Sequence, residues 1–164
     1  MNRDLAVLCG LQGAGKTTFA ARLATDHAVV SRDLLSYRRH SAARFLDALT
    51  AAAGRGRSVV ADATHALRAD RIRLVALAGA LGLRPVLYWF PPDVDASLAR
   101  NALRDGRALV PTHAIHATAQ RLEPPGADEG FAEAFEVHAR AGGGFEVLPR
   151  PDLVRSRSRP VPGP

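Results

Sequence analysis

The sequence predicts an α/β fold, with about five strands in a parallel sheet and helices on both of its faces. Three observations lead there. Short apolar runs of strand length alternate with longer segments of helical composition, the pattern of successive βα units. The fourth run, residues 85–90, is apolar throughout, as a strand covered on both faces should be. A glycine-rich stretch, Gly10-Leu-Gln-Gly-Ala-Gly-Lys16-Thr17, joins the first apolar run directly to a helical segment. The 164 residues suffice for one domain with its own core, and 47% of them are hydrophobic.

Taken in order, strand one covers residues 5–9, and a helix follows the glycine-rich stretch from Thr18. A short second strand, 28–30, ends at Ser31-Arg32-Asp33. Residues 41–53 read as a helix with Phe45, Leu46 and Leu49 on one face, stopped by Gly54 and Gly56. Strand three, 58–61, ends at Asp62-Ala-Thr64. The next helix, about 68–81, is expected to turn Ile72, Val75, Ala76 and Gly79 inward and to leave Arg68 and Arg71 outside. Pro91-Pro92 breaks the fourth strand, and Asp93 suits the N-cap of a helix running to Asp105. Residues 106–110 read as a loop, Pro111 suits the first turn of a helix ending near Leu122, and 123–130 form a Pro/Gly-rich connection. A weaker helix is expected over 131–139, then Gly142-Gly-Gly144 and a final strand, 145–148. Residues 1–149 thus make the domain, and 150–164, rich in Arg, Pro and Ser, read as a disordered tail.

Composition narrows the function. The net charge of +6 favours phosphates or nucleic acid as partners, although Arg150, Arg155, Arg157 and Arg159 of the tail supply much of it. Cys9 is the only cysteine, so no internal disulfide framework exists, and a reducing cytoplasm is expected. No apolar run approaches a membrane span and no signal-peptide pattern leads the chain, so no membrane partner is expected. His113 and His116 lie three apart without a third ligand at suitable spacing, which argues against zinc.

The glycine-rich stretch carries the chemistry. Gly10, Gly13 and Gly15 allow the backbone angles that turn successive N–H groups inward. With Ala14, Thr18 and the positive end of the following helix, they make a nest for phosphate oxygens. Lys16, the only lysine of an arginine-rich chain, is placed to reach the β- and γ-phosphates, and the Thr17 hydroxyl to reach Mg²⁺. A nucleoside triphosphate such as ATP is the expected ligand. In an open parallel sheet, ligands bind beyond the carboxyl ends of the strands. There Asp33 is the candidate base for an attacking hydroxyl, and Asp62, at the end of a shortened Walker B pattern, is the candidate Mg²⁺ partner. Thr64 and His65 follow Asp62 towards the acceptor side. Arg100 and Arg104, four apart on one helix face, and Arg107 beyond Gly106 suit a lid that cancels phosphate charge and excludes water.

The order Gly-x-x-Gly-x-Gly-Lys-Thr, Arg32-Asp33, Asp62-Ala-Thr64, Arg100-Asn101…Arg104…Val110-Pro111 and Glu129-Gly-Phe131 resembles the polynucleotide 5′-kinase family of P-loop phosphotransferases over about residues 5–148. That resemblance implies a P-loop kinase fold with an arginine-bearing lid. Lys16 and Thr17 would match the phosphate and Mg²⁺ residues, Asp33 the general base for a 5′-hydroxyl, Asp62 the strand-three acid, and Arg100 and Arg104 the lid arginines. The family's arginine one turn after the base is Ser36 here, with Arg38 and Arg39 nearest, and its usual Asp-x-Thr-Asn reads Asp62-Ala-Thr-His65. The implied acceptor is the 5′-OH of RNA or DNA. Related P-loop kinases of small-molecule hydroxyls (nucleoside, sugar, antibiotic) form the alternative, and a non-catalytic ATP-binding module is a third reading.

Overall fold

One sheet carries the molecule. Its six strands among the described residues are β1 (Asp4–Cys9), β2 (His27–Ser31), β3 (Ser58–Asp62), β4 (Arg84–Trp89), β5 (Glu133–Ala139) and β6 (Phe145–Pro149), in the order β2-β3-β1-β4-β5-β6. The structure is a computed structural model and describes residues 2–34 and 41–154. Arg38, with Ser36 and Arg39, lies outside the described residues, as does the tail from residue 155.

The first five strands are parallel and β6 is antiparallel to β5. β1 is innermost, with Leu5 beside Val59 on one side and Pro85 on the other. Its residues alternate between two cores. Leu5, Val7 and Cys9 face the helices α2 (Ser41–Ala53) and α3 (Arg68–Ala80), while Ala6 and Leu8 face α1 (Lys16–Leu23). Helices therefore cover both faces, as expected. Phe19 anchors α1, with ring centroids 5.1 Å from Tyr88, 5.6 Å from Phe90 and 5.2 Å from Phe145. Such tilted aromatic contacts stabilise beyond the apolar area they bury.

Three sequence expectations are corrected. Residues 131–139 are not a helix: 133–139 form β5, the fifth parallel strand, and the expected last strand is the antiparallel edge beside it. Glu and Ala favour a helix in isolation, but pairing on both sides overrides that weak preference. Arg71 does not face outward from α3. It is fully buried with Leu74 and Ala78, whereas Ala76 and Gly79 are exposed. Finally, the fold does not stop at residue 149. Leu153, in a single helical turn, Pro151–Leu153, packs into the core, and Arg150 pairs with Glu136 and Asp152.

Past β4, Asp93 caps α4 (Val94–Asn101) by accepting from the Ala96 N–H at 2.9 Å. The helix ends at Asn101, earlier than its sequence suggests, and α5 (Thr112–Arg121) follows a loop. Among the described residues, no helix is long and apolar enough to cross a membrane.

Candidate active site

The carboxyl ends of β1, β2 and β3 meet at the glycine-rich loop. Gly10 is required by close approach, since a Cβ there would sit 2.7 Å from the Phe90 Cβ. Gly13 is required twice over: its φ is +77°, and a Cβ would lie 2.5 Å from the Ser97 carbonyl oxygen. The loop is thus pressed between the ends of β1 and β4 and the body of α4. Gly15 closes it as the left-handed residue before α1.

Lys16 folds into the loop instead of reaching out. Its Nζ donates to the Gly10 carbonyl at 3.0 Å and to that of Leu11, and the side chain is buried. Burial pushes the ammonium down to about 8, with the charge of Asp62 working in the opposite direction. The two carbonyls thus hold the ammonium inside the loop. The Thr17 hydroxyl donates to Asp62 Oδ2 at 3.0 Å. Asp62 is buried at the end of β3, and burial raises its carboxyl above the ordinary range against the pull of Thr17 and Lys16.

Asp33 stands in a single turn, Arg32–Leu34, directly after β2, exposed to solvent. Its charge acts on both Lys16 and Asp62, so it lies within electrostatic range of them beyond the carboxyl ends of the strands. Thr64 sits on the loop after β3, and its carbonyl accepts from the Gly10 N–H at 3.0 Å. His65 does not present its ring as a surface residue would. It is buried, its Nδ1 donates to the Leu8 carbonyl at 2.6 Å, and burial lowers its pKa to about 4. Its φ of +41° is one that His and Asn tolerate better than most residues.

The three arginines expected on a lid divide. Arg100 lies on α4 and donates to the Gly13 carbonyl at 3.2 Å. Arg104 follows the helix end, so the two do not share a helical face, yet its charge is still felt at Lys16. Arg107 lies farther along the loop in the turn Gly106–Ala108, exposed. Sequence reasoning gave no role to the residue that shapes this loop. Buried Asn101 donates to the Val110 carbonyl at 2.7 Å and accepts from the Val110 N–H at 3.0 Å, closing the segment that carries Arg104 and Arg107. An Asn at a helix end, where its amide competes with the backbone, was the available signal. Gln12 was missed as well: its Nε2 donates to Thr118 at 2.9 Å, tying the glycine-rich loop to α5. Asn101→Ala is expected to cost about 2 kcal/mol in denaturant unfolding, because both Val110 groups lose their partner. The same variant should weaken nucleotide binding in titration.

Residues 5–125 match the AAA_33 family, described as an AAA domain. The chain belongs to this family. A search of the curated proteins found no match. Among solved structures, this AAA-domain chain is similar to a gluconokinase from Sinorhizobium meliloti 1021, with 21% identity over 81% of this chain and 82% of that one, at TM-score 0.57. It is also similar to Chaetomium thermophilum Kti12 in complex with ADP-AlF3, with 19% identity, 82% and 88% coverage, and TM-score 0.62. A fungal RNA kinase aligns at TM-score 0.63 and 16% identity, over 87% of this chain but 40% of its own. At these identities the likeness establishes the fold, a P-loop kinase-type α/β domain.

Proposed function

We propose that this AAA-domain protein is an ATP-dependent kinase that moves the γ-phosphate of ATP to a hydroxyl. The observation that carries the reading is a solvent-exposed carboxylate, Asp33, just past β2 and within electrostatic range of a buried Lys16 and an Asp62–Thr17 pair. In this reading the phosphates enter the loop and take Lys16 from the Gly10 and Leu11 carbonyls. Asp33 accepts the proton of the attacking hydroxyl as its oxygen bonds to the γ-phosphorus. The bond to the bridging oxygen breaks and ADP leaves. Arg100 and Arg104 counter the charge spread over the moving group. Thr17 and Asp62 offer oxygen donors alone, which fits Mg²⁺, and they would hold it there. The ion would supply charge neutralisation at the phosphates.

The acceptor proposed first is the 5′-OH of an RNA or DNA end, on the residue pattern Arg32-Asp33 with Arg100-Asn-x-x-Arg104. A small-molecule hydroxyl is the second reading, supported by similarity to the gluconokinase, 82% of which is covered. Label transfer from γ-labelled ATP to 5′-OH oligonucleotides, set beside nucleosides and sugars, separates them. Label on oligonucleotide ends, lost in Asp33→Ala, is expected. Label confined to a small molecule favours the second reading, and ATP binding with no transfer to any acceptor removes both.

The depressed Lys16 ammonium makes a further expectation. Phosphates would restore its charge, so ATP binding near pH 9 should take up a proton that binding at pH 6.5 does not. Affinity should fall as pH rises through about 8, where the free protein loses that charge. Calorimetry in buffers of different ionisation enthalpy measures the uptake.

A further inference from the structure

The most heavily bonded group in the interior belongs to no step of that reaction. Arg71 is fully buried. Its Nε and Nη2 each donate to Glu129 at 2.7 Å, and Glu129 also accepts from the Gly126 N–H at 3.1 Å. The remaining nitrogen, Nη1, donates to the carbonyls of His65 at 2.9 Å and Ala66 at 3.2 Å. Those carbonyls end the loop that begins at Asp62. On its other side the same loop is laced to β1: the Gly10 N–H donates to Thr64, His65 Nδ1 donates to Leu8, and Cys9 Sγ donates to His65. A backbone bond from the Glu123 N–H to Ala66 at 2.9 Å adds one more hold.

A buried ion pair is a poor source of stability, because desolvating two charges offsets most of their attraction and an apolar pair of similar volume serves as well. What apolar side chains lack is direction. A guanidinium presents donors in a fixed fork, and here one edge is fixed by Glu129 while the other grips two successive carbonyls. We propose that Arg71, held by Glu129, is a positioning residue: it locks the Asp62–His65 loop, and with it Asp62 and Thr64, against the start of the phosphate loop. The link to phosphoryl transfer rests on the kinase reading, but the lock itself does not.

The test replaces both partners, R71M/E129L, because R71M alone leaves a buried carboxylate and is expected to fold poorly. The double variant should fold and bind ATP without Mg²⁺ as the parent does. It should lose about tenfold or more of the gain in ATP affinity that Mg²⁺ provides, the scale typical of residues that orient metal ligands. Hydrogen exchange of the Gly10 amide, whose acceptor is Thr64, should quicken by a similar factor while that of Val60 stays unchanged. Should the double variant fail to fold, R71K keeps a charge for Glu129 without the fork, and the same two losses are expected of it. A folded variant with the parent's Gly10 exchange and Mg²⁺ response would overturn the proposal. A parent protein that binds no ATP would instead overturn the kinase reading, and the exchange experiment would still decide the lock.

Discussion

Lys16→Met is expected to remove phosphoryl transfer by about 10³-fold or more while making the nucleotide-free protein more stable. In the proposed reaction, the first effect follows from losing the ammonium that would meet the developing phosphate charge. The second follows from its environment. Lys16 is buried against two loop carbonyls, and burial holds it at about 8 instead of the ordinary 10.5. A base whose pKa falls on folding binds fewer protons folded than unfolded between those values, so stability rises with pH across that window. Below about pH 8 the parent carries the full penalty, on the order of 3 kcal/mol before the two hydrogen bonds are set against it. Methionine fills similar space without charge. Its advantage in thermal unfolding should therefore be present at pH 7 and shrink towards pH 10.5. An equal or lower melting temperature for the variant at pH 7 would contradict this account.

The second large effect is acid sensitivity centred on His65. Burial lowers its pKa from 6.5 to about 4. Between those values the unfolded chain binds the proton more readily, so stability should fall as pH drops through that window. The loss amounts to about 3 kcal/mol by pH 4. His65→Asn should fold, because Asn also accepts the positive φ of +41°, and should flatten this limb. His65→Val carries the same loss of titration but should fail on backbone strain, which separates charge from conformation. Denaturant midpoints of the three proteins from pH 7 to pH 4 provide the measurement.

How far the sequence reveals this molecule depends on the range of the interactions. The phosphate loop is legible because each of its requirements is local: glycines for positive φ and close approach, and a lysine and a threonine at fixed offsets. The cap at Asp93 and the span of α2 are legible for the same reason. β5 is not, since Phe131-Ala-Glu-Ala-Phe-Glu-Val-His-Ala139 has helical composition and becomes a strand only between β4 and β6. Arg71 is hidden more deeply. Its partner, Glu129, comes from a turn far along the chain, and no spacing rule relates the two. Asp33 and Asp62 are legible as residues that follow β2 and end β3, and both charges act on Lys16 at the start of α1. His65 was read as an acceptor contact because sequence position reports which loop a residue is on and says nothing of which way its ring turns.

The central place of β1 bears on how the chain is made. Leu5 waits for Val59, and Asp4 for Arg84, before either side of the first strand has a neighbour, and the Gly10 N–H waits for Thr64. On a ribosome the phosphate loop emerges before the strands that flank β1 and takes shape only after them. Contacts so distant in sequence slow folding and leave an apolar strand uncovered meanwhile. Nucleotide binding should accordingly appear late and abruptly in a series of growing nascent chains, only once β4 has cleared the exit tunnel.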